Sequence, residues 1–264
     1  MTSPHWGEAE TTVRSPGADT IRTYFDRYAL PKETIAALED ACHRRTYPRG
    51  SSFFSSGGRY VRFMVRGCVS EHTPSGETRL WGSHAVIGDL YVGRRFMKGG
   101  RMKPARGRGR FLSDTEAIVI GTGALHSMAL HDPAVMRVIN AVNMERNAVL
   151  EEVYAVSRKS PRARVAMLLD YLLDGRGTNR YKVVRKTEGD GKVIVTGFDR
   201  SLAIEGPSQS QIAEALALGR ATVEKVIASL RKEGVLATPT PGLRTNRYYE
   251  VGDRDRLKEI ALGA

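Results

Sequence analysis

Cysteine and long apolar segments are scarce in this sequence of 264 residues. Its two cysteines, Cys42 and Cys68, lie far apart, so they make neither a disulfide framework nor a zinc site, and they suit a reducing cytoplasm. No run of about 18 apolar residues is present, which argues against a transmembrane helix. Residues 1–19 do not combine a basic start with an apolar stretch, so we expect a flexible tail and a cytoplasmic protein.

Residue patterns typical of catalysis are also missing. The sequence has no phosphate-binding loop, no nucleophile elbow and no serine, histidine and aspartate at catalytic spacing. Its six histidines show no metal-ligand spacing, and two cysteines cannot hold an iron–sulfur cluster that needs four. The residues therefore disfavour an enzyme and indicate neither a metal nor a haem cofactor.

Positive charge is in excess. The chain carries 41 Lys and Arg against 29 Asp and Glu, a formal net charge of +12. Such a charge attracts polyanions, of which nucleic acids and anionic membranes are the usual ones. Because many basic proteins bind neither, the charge supports a nucleic-acid partner only together with a motif that could read one.

The residue pattern of the N-terminal half changes near Tyr47. Residues 20–42 carry apolar side chains at helical spacing and predict two short helices separated at Pro31. From residue 47 to 122, short β-rich runs alternate with glycine turns, which predicts a β-sandwich or a roll. The predicted strands are 52–54, 60–65, 85–87 and 117–120. We assign residues 20–131 to this domain.

A basic, glycine-rich segment interrupts the β-rich region between Arg94 and Arg110. Arginines and lysines alternate there with glycines, which is typical of a mobile loop. The segment is interpreted as solvated surface, with an additional contact to DNA or RNA polymerase as the functional alternative.

A long helix is predicted over residues 132–158, because Asp132 is a good N-cap and Pro133 fits the first helical turn. Valines recur along it at steps of three, four and seven residues, and a second apolar stripe lies beside them. Two apolar faces need two partners, so we expect one to cover the β-domain and the other to form a homodimer. One wide core face within a monomer is the alternative. The dimer-interface residues are predicted to be Val135, Val138, Val142, Val149 and Val156.

Residues 159–253 contain a helix-turn-helix pattern. The first motif helix starts at Gln209 and turns Ile212 and Leu216 inward, with a small Ala213 where the second helix must approach. The second starts near Arg220 and buries Val223 and Val226. Its outer side offers the side chains that we expect to read DNA, namely Arg220, Ala221, Thr222, Glu224 and Lys225. Ala217 stands where such turns often have glycine, at a cost of roughly 1 kcal/mol for positive φ.

A predicted wing follows this motif. Residues 234–236 and 247–251 read as two strands, and the loop between them contains Arg244, which we expect over a phosphate backbone. An ordinary helical hairpin without a DNA role is the alternative for residues 207–236. Residues 254–264 are expected to be a C-terminal tail.

The sequence resembles the bacterial regulators related to the cyclic AMP receptor protein and the fumarate–nitrate regulator, the Crp/Fnr family. The likeness spans roughly residues 21–251. Its motifs are Tyr47-Pro48-Arg49-Gly50-Ser51-Ser52-Phe53-Phe54, Val65-Arg66-Gly67-Cys68-Val69, Ile87-Gly88-Asp89-Leu90, Gln211-Ile212-Ala213 and Arg220-Ala221-Thr222-Val223. The resemblance implies an α+β fold with an N-terminal cyclic-nucleotide-binding-like β-roll, a long dimerisation helix and a C-terminal winged helix-turn-helix.

The resemblance also implies a function. It implies a dimer that binds a near-palindromic site in double-stranded DNA and contacts RNA polymerase. Arg220 and Lys225 stand where the family reads bases and phosphates, and Ser208 and Gln209 are expected to hold a phosphate. The family usually has Glu where this chain has Ala221, so the base preference should differ, because alanine can contact only a thymine methyl.

The effector is the open part of the sequence-based interpretation. Gly88, Asp89 and Leu90 match the family's G-E-L element with Asp for Glu, and no Arg-Ser-Ala or Arg-Thr-Ala motif follows. Arg106 and Arg108 could bind a phosphate, although a glycine-flanked loop is not pre-organised. Cyclic AMP is therefore disfavoured, while another anionic nucleotide and no ligand at all both stay open. The alternative function is a nucleotide-sensing module with non-specific DNA contact.

Overall fold

The computed structural model describes residues 18–55, 58–73, 75–90, 107–155, 158–174, 179–187, 193–238 and 246–263. The expected tail, 1–19, lies outside these residues except for its last two, which begin the first helix. The N-terminal helices are α1 (Ala18–Asp26) and α2 (Lys32–Ala41). The strands that follow are β1 (Cys42–Tyr47), β2 (Ser52–Phe54), β3 (Tyr60–Arg66), β4 (Val69–His72), β5 (Thr78–Trp81), β6 (Val86–Ile87), β7 (Arg108–Phe111) and β8 (Thr115–Gly121).

These strands form two antiparallel sheets that face each other as a β-roll. One sheet has the order β1-β8-β3-β6 and the other β2-β7-β4-β5. Alternation along the strands directs one set of side chains between the sheets, where Phe53, Met64 and Phe111 pack. On the outer side of the first sheet, Val61 and Phe63 pack under the helices. The predicted roll is thus present, and the sequence pattern missed β1, β4, β5 and β7.

The long helix begins as predicted. After α3 (Thr122–His131), α4 runs over Pro133–Val149 and continues as a short π-helical segment, Leu150–Tyr154. Asp132 caps α4, because its Oδ1 accepts a hydrogen bond from the Ala134 amide at 2.8 Å and its Oδ2 accepts one from Thr34 Oγ1 at 2.7 Å. The same two bonds hold the pKa of the Asp132 carboxyl below its usual value, the Thr34 bond contributing most.

The prediction that the valines of the long helix form the dimer interface is wrong for the first three of them. Val135, Val138 and Val142 are buried in the protomer's own core, where they pack on the first sheet of the roll and on α1. Val149 is half-buried against the same protomer, and Val156 lies outside the described residues. The valine stripe therefore covers the roll, because a helix beside a sheet must bury its most apolar face.

The C-terminal domain starts with α5 (Pro161–Asp174) and a three-stranded antiparallel sheet. Its strands are β9 (Asn179–Thr187), β10 (Val193–Glu205) and β11 (Tyr248–Glu250), in the order β11-β10-β9. The sequence pattern predicts two strands here, 192–196 and 202–204, with a turn between them. The turn is wrong, because β10 continues through it with a shift of register between Val195 and Phe198. The two motif helices are α6 (Gln209–Ala215) and α7 (Arg220–Lys232).

The expected C-terminal tail is also wrong. Residues 254–262 form α8 (Arg254–Leu262), which packs on α5. Asp253 caps it by accepting a hydrogen bond from the Arg256 amide at 2.9 Å. Only one narrow face of α8 is apolar, with Leu257 and Ile260 buried. The rest of the segment is charged, which is why its sequence resembles that of a solvated tail.

The roll and the C-terminal domain share one apolar core. Cys68, Leu80 and Leu112 of the roll pack in the same cluster as Ile204 and Ile212 of the C-terminal domain. Burial raises the pKa of the Cys68 thiol to about 12, so this cysteine is an inert part of the core. No described helix is long and apolar enough to span a lipid bilayer.

Candidate nucleic-acid interface

The helix-turn-helix pattern is confirmed at the residues where the sequence predicts it. Helix α6 starts at Gln209 and α7 at Arg220. Ile212, Leu216 and Val223 are buried between them. Val226 is only partly buried, and Ile227 and Leu230 complete the inner face of α7 instead. The two helices therefore pack through one apolar surface each and leave their other sides to solvent.

The turn between the helices adopts the conformation expected of it. Ala217 has φ +48°, which is the left-handed region that favours glycine. The turn is held by the Leu218 amide, which donates to the Ala213 carbonyl at 2.8 Å. The guanidinium of Arg164 on α5 also donates to the Leu216 carbonyl at the end of α6. These contacts fix the angle at which α7 leaves the domain.

Both ends of the motif are anchored. Ser208 caps α6 in a reciprocal box, in which its hydroxyl accepts from the Gln211 amide at 3.2 Å and the Gln211 side chain accepts from the Ser208 amide at 2.9 Å. At the far end of α7, Arg162 on α5 donates to Glu233 Oε1 at 2.7 Å. Helix α7 is thus held by α5 at its C-terminal end and by a tight turn at its start.

The outer face of α7 is exposed, as a surface that enters a DNA groove must be. The side chain of Arg220 is 69% exposed, and Ala221 and Lys225 are exposed as well. Thr222 and Glu224 are half-exposed. Arg220 Nε donates to Glu224 Oε1 at 2.7 Å, one helical turn further on. The structure therefore brings these five predicted residues onto one surface, and their contact with DNA stays a prediction.

The remaining predicted DNA contacts lie at the edges of this surface. Ser208 and Gln209 are half-exposed at the start of α6, which lets a phosphate approach their side chains. Arg244 lies outside the described residues. The base of the wing is formed by an antiparallel bridge from Leu236 to Val251 and by Tyr249, whose hydroxyl donates to the Asn246 carbonyl at 3.2 Å. The described part of the wing thus starts beside α7.

The motif also touches the roll at a point that the sequence pattern did not reveal. Thr78 in the β4–β5 hairpin donates a hydrogen bond to Glu214 on α6. His72 lies beside both, with Nδ1 2.9 Å from Thr78 Oγ1 and 3.8 Å from Glu214 Oε1. A polar contact between residues 136 positions apart leaves no local signal in a sequence.

The described residues that are predicted to bind an effector lie on different elements of the roll. Gly88 and Asp89 follow β6 in the first sheet, whereas Arg108 is exposed on β7 in the second. Gly88 has φ +146°, and a Cβ there would lie 2.8 Å from Val61 Cα, so this glycine serves the backbone turn. The Leu90 side chain is buried in the core beneath the helices. Arg106 lies outside the described residues.

Side chains also occupy the inside of the roll. The rings of Tyr47 and Phe111 stack with centroids 4.4 Å apart, and Phe53 lies so close to Gly109 that a Cβ there would be 2.1 Å from its ring. The buried guanidinium of Arg62 lies 5.4 Å from the Phe53 ring centroid. Its Nε donates to the Tyr47 hydroxyl at 3.3 Å. The described interior of the roll is therefore an aromatic core built around an arginine.

Comparison with solved structures identifies the fold. The structure matches FixK2 from Bradyrhizobium japonicum with a TM-score of 0.54 at 19% identity, covering 83% of this chain and 96% of that one. It matches a protein assigned to the Crp/Fnr family of transcriptional regulators from Eubacterium rectale with a TM-score of 0.52 at 14% identity, covering 91% and 99% of the two chains. A protein from Ruegeria pomeroyi named for cyclic nucleotide binding gives 0.56 at 16%, with 93% and 99% covered.

The comparisons confirm the predicted fold class. The chain has the α+β fold of Crp/Fnr regulators over most of its length. No protein-family model matches the sequence, and no curated protein sequence is significantly similar to it.

Proposed function

We propose that the protein is a sequence-specific DNA-binding transcription regulator of the Crp/Fnr type that acts as a dimer. The observation that carries this proposal is the asymmetry of α7. One side of α7 is fully buried through Val223, Ile227 and Leu230. The exposed side chains of Arg220 and Lys225 lie on its other side. A cationic helix face on a rigid scaffold is what a major groove accepts.

Each exposed side chain has a distinct task in this proposal. The planar fork of Arg220 suits the O6 and N7 acceptors of a guanine, and Ala221 suits a thymine methyl. Lys225 and the Ser208 hydroxyl suit phosphate oxygens, which position the helix without reading sequence. The Ser208 hydroxyl accepts the capping hydrogen bond of α6, so it can still donate its own hydrogen bond to a phosphate oxygen.

The dimer contact is proposed for a different face of α4 than the valine stripe. Ala141, Met144 and Ala148 follow one another at three- and four-residue spacing, and Met144 is 73% exposed. Two such helices can approach closely, because alanines leave room for the methionine of the partner. A symmetric pair would offer two recognition helices to successive major grooves, about 34–36 Å apart.

Selection of bound fragments from a random DNA library tests this function. The full-length chain is expected to enrich a near-palindrome whose half-sites lie one helical turn or a multiple apart. Arg220→Ala should relax the preference at one base pair of each half-site, with a loss of about 1–3 kcal/mol at that position. Arg256→Ala on α8 removes an exposed arginine outside this face and is the matched control. Failure to enrich any site, or an R220A variant with unchanged selectivity, would contradict the proposal.

A further inference from the structure

A cavity of about 270 Å³ lies where the roll, the long helix and the C-terminal domain meet. Its walls come from the β5–β6 turn with the strand residues on either side of it, from α4, from Tyr171 on α5 and from Arg27 just after α1. This volume is at the lower edge of the roughly 300–1,000 Å³ of ligand sites, so it suits a small molecule. Gly88, Asp89, Leu90 and Arg108 do not line it. It is therefore separate from the residues to which the family resemblance points.

The cavity combines an apolar slot with polar groups. Trp81, Val86, Val142, Val149 and Tyr171 form its apolar and aromatic walls. Ser83 also lines it, and the Ser83 hydroxyl is buried without a hydrogen-bond partner. A buried hydroxyl that makes no hydrogen bond is unfavourable, and a ligand atom in the cavity that bonds to it would remove this cost.

The guanidinium of Arg27, which is held in place by its neighbours, lines the same cavity. The guanidinium of Arg27 lies 4.4 Å from the Tyr24 ring centroid and 4.6 Å from that of Tyr28, and Nη2 donates to the Tyr24 hydroxyl at 3.0 Å. Its contact with Glu145, which also lines the cavity, is long, at 3.8 Å, and only partly shielded from solvent. Such a contact is weak, so an incoming carboxylate can compete with it. A guanidinium that is already immobilised loses little entropy when it binds an anion.

The turn that supplies Ser83 is under strain. His84 has φ +65°, a left-handed conformation that non-glycine residues rarely adopt. It is kept there because its amide donates to the Met64 carbonyl at 2.8 Å and its ring stacks on Tyr24 at 5.8 Å. Strain of this kind is found preferentially at ligand sites and switches.

We propose that this cavity binds a small aromatic carboxylate, with the carboxylate toward Arg27 and Ser83 and the ring against the apolar wall, and that its occupancy sets the DNA affinity. The regulatory half of this proposal rests on the proposed function. The ligand would contact α4 of the sensor half and Tyr171 of the DNA-binding half together. The π-helical segment after α4 also holds strand β5, because the Tyr154 hydroxyl accepts a hydrogen bond from the Leu80 amide at 2.7 Å and donates one to the Leu80 carbonyl at 2.6 Å.

Tryptophan emission reports binding without any DNA. The chain has two tryptophans, Trp6 and Trp81, so Trp6→Phe leaves the cavity tryptophan as the only one. Benzoate is the probe and benzamide its neutral counterpart. Benzoate is expected to change the Trp81 emission saturably below about 10 mM, where a site with a Kd of about 1 mM is nearly filled. Benzamide should bind at least about tenfold more weakly, because it cannot pair with a guanidinium.

Two buried serines provide a matched comparison. Ser83 and Ser55 are both buried, and both hydroxyls lack a hydrogen-bond partner, but only Ser83 lines the cavity. Ser83→Ala should weaken benzoate binding about fivefold, the effect of one hydrogen bond, whereas Ser55→Ala should leave it unchanged. Arg27→Met should weaken it more than either. Absence of a saturable change, equal binding of benzamide, or equal effects of S83A and S55A would overturn the site.

The regulatory half is tested by DNA affinity at saturating benzoate. A change of at least about threefold on the selected operator is expected, and the benzoate concentration that produces half of this change should be about fivefold higher in the S83A variant. Unchanged DNA affinity with saturated Trp81 emission would overturn the effector role. A protein that binds benzoate but no DNA under any condition would contradict the proposed function and leave the cavity site standing.

Discussion

Arg162 and Glu233 form a two-pronged ion pair that joins the first turn of α5 to the end of α7. Arg162 Nη1 lies 2.7 Å from Glu233 Oε1, and Ser229 donates to the same oxygen at 2.7 Å. The bond from Arg162, followed by that from Ser229, lowers the pKa of Glu233 to about 2. The exposed face of α7 is therefore positioned partly by an acid whose pKa lies far below its ordinary value.

This pair predicts a pH-dependent stability. Because the pKa of Glu233 is lower in the folded protein, its contribution is present above the unfolded value of 4.5 and is lost as the pH falls toward 2. Urea midpoints of the wild type should therefore exceed those of Glu233→Gln at pH 7, and the gap should close between pH 4.5 and 2. In an Arg162→Met background, E233Q should no longer produce a pH-dependent gap. A gap that is the same at all pH values would contradict this account.

A second prediction concerns the left-handed turn at Ala217. Ala217→Gly should stabilise the protein by up to about 1 kcal/mol, because glycine adopts φ +48° without strain. The melting temperature should then rise by roughly 2–4 °C. Ala228→Gly makes the same change at an exposed position inside α7, where it should destabilise by about 1 kcal/mol. If both variants lose stability alike, Ala217 is not strained in solution.

The recognition motif was predictable because its signals are local. Ser208 and Gln211 form a capping box within three residues, and apolar residues at helical spacing set both inner faces. Asp132 and Pro133 identified the start of α4 in the same way. Each of these features depends on neighbours in the sequence, so the elements could be placed before any tertiary contact was known.

Other elements were missed because the tertiary context overrides their local pattern. Strand β7 reads as a basic, glycine-rich loop, yet Gly109 is required there because the Phe53 ring occupies the place of a side chain. The turn predicted between residues 196 and 202 lies inside strand β10, where Gly197 falls at a shift of register. The valines of α4 have the spacing of a dimer seam, and the same spacing suits a helix that covers a sheet. The cavity at Ser83 unites four segments that are distant in sequence, which no local pattern signals.

The third prediction concerns the dimer. Met144→Glu should shift the protein from dimer to monomer in sedimentation equilibrium, because two carboxylates would face each other across the symmetric contact. Leu262→Glu is the matched control, since Leu262 is 77% exposed on α8 and Met144 is 73% exposed on α4. Dissociation by L262E, or a dimer that persists in M144E, would place the interface elsewhere.

A fourth prediction separates phosphate contacts from base contacts. If Lys225 binds a phosphate in each subunit, Lys225→Ala should weaken binding to all sequences equally and reduce the salt slope by about 1 per subunit. Lys258→Ala on α8 removes an exposed lysine away from α7 and should change neither quantity. A Lys225→Ala variant that keeps its salt slope but changes its preferred bases would show that Lys225 reads a base instead.

The last prediction concerns Glu224, which accepts a hydrogen bond from Arg220 Nε at 2.7 Å. Because this bond engages Nε, a bidentate contact from Arg220 to guanine would use Nη1 and Nη2. Glu224→Ala should therefore relax the same base pair of each half-site as Arg220→Ala, by a smaller amount. Glu224→Gln keeps an acceptor and should retain most of the preference. Library selection with the three variants tests this explanation. If Glu224 read a cytosine directly, Glu224→Ala would relax the preference at a different base pair from Arg220→Ala.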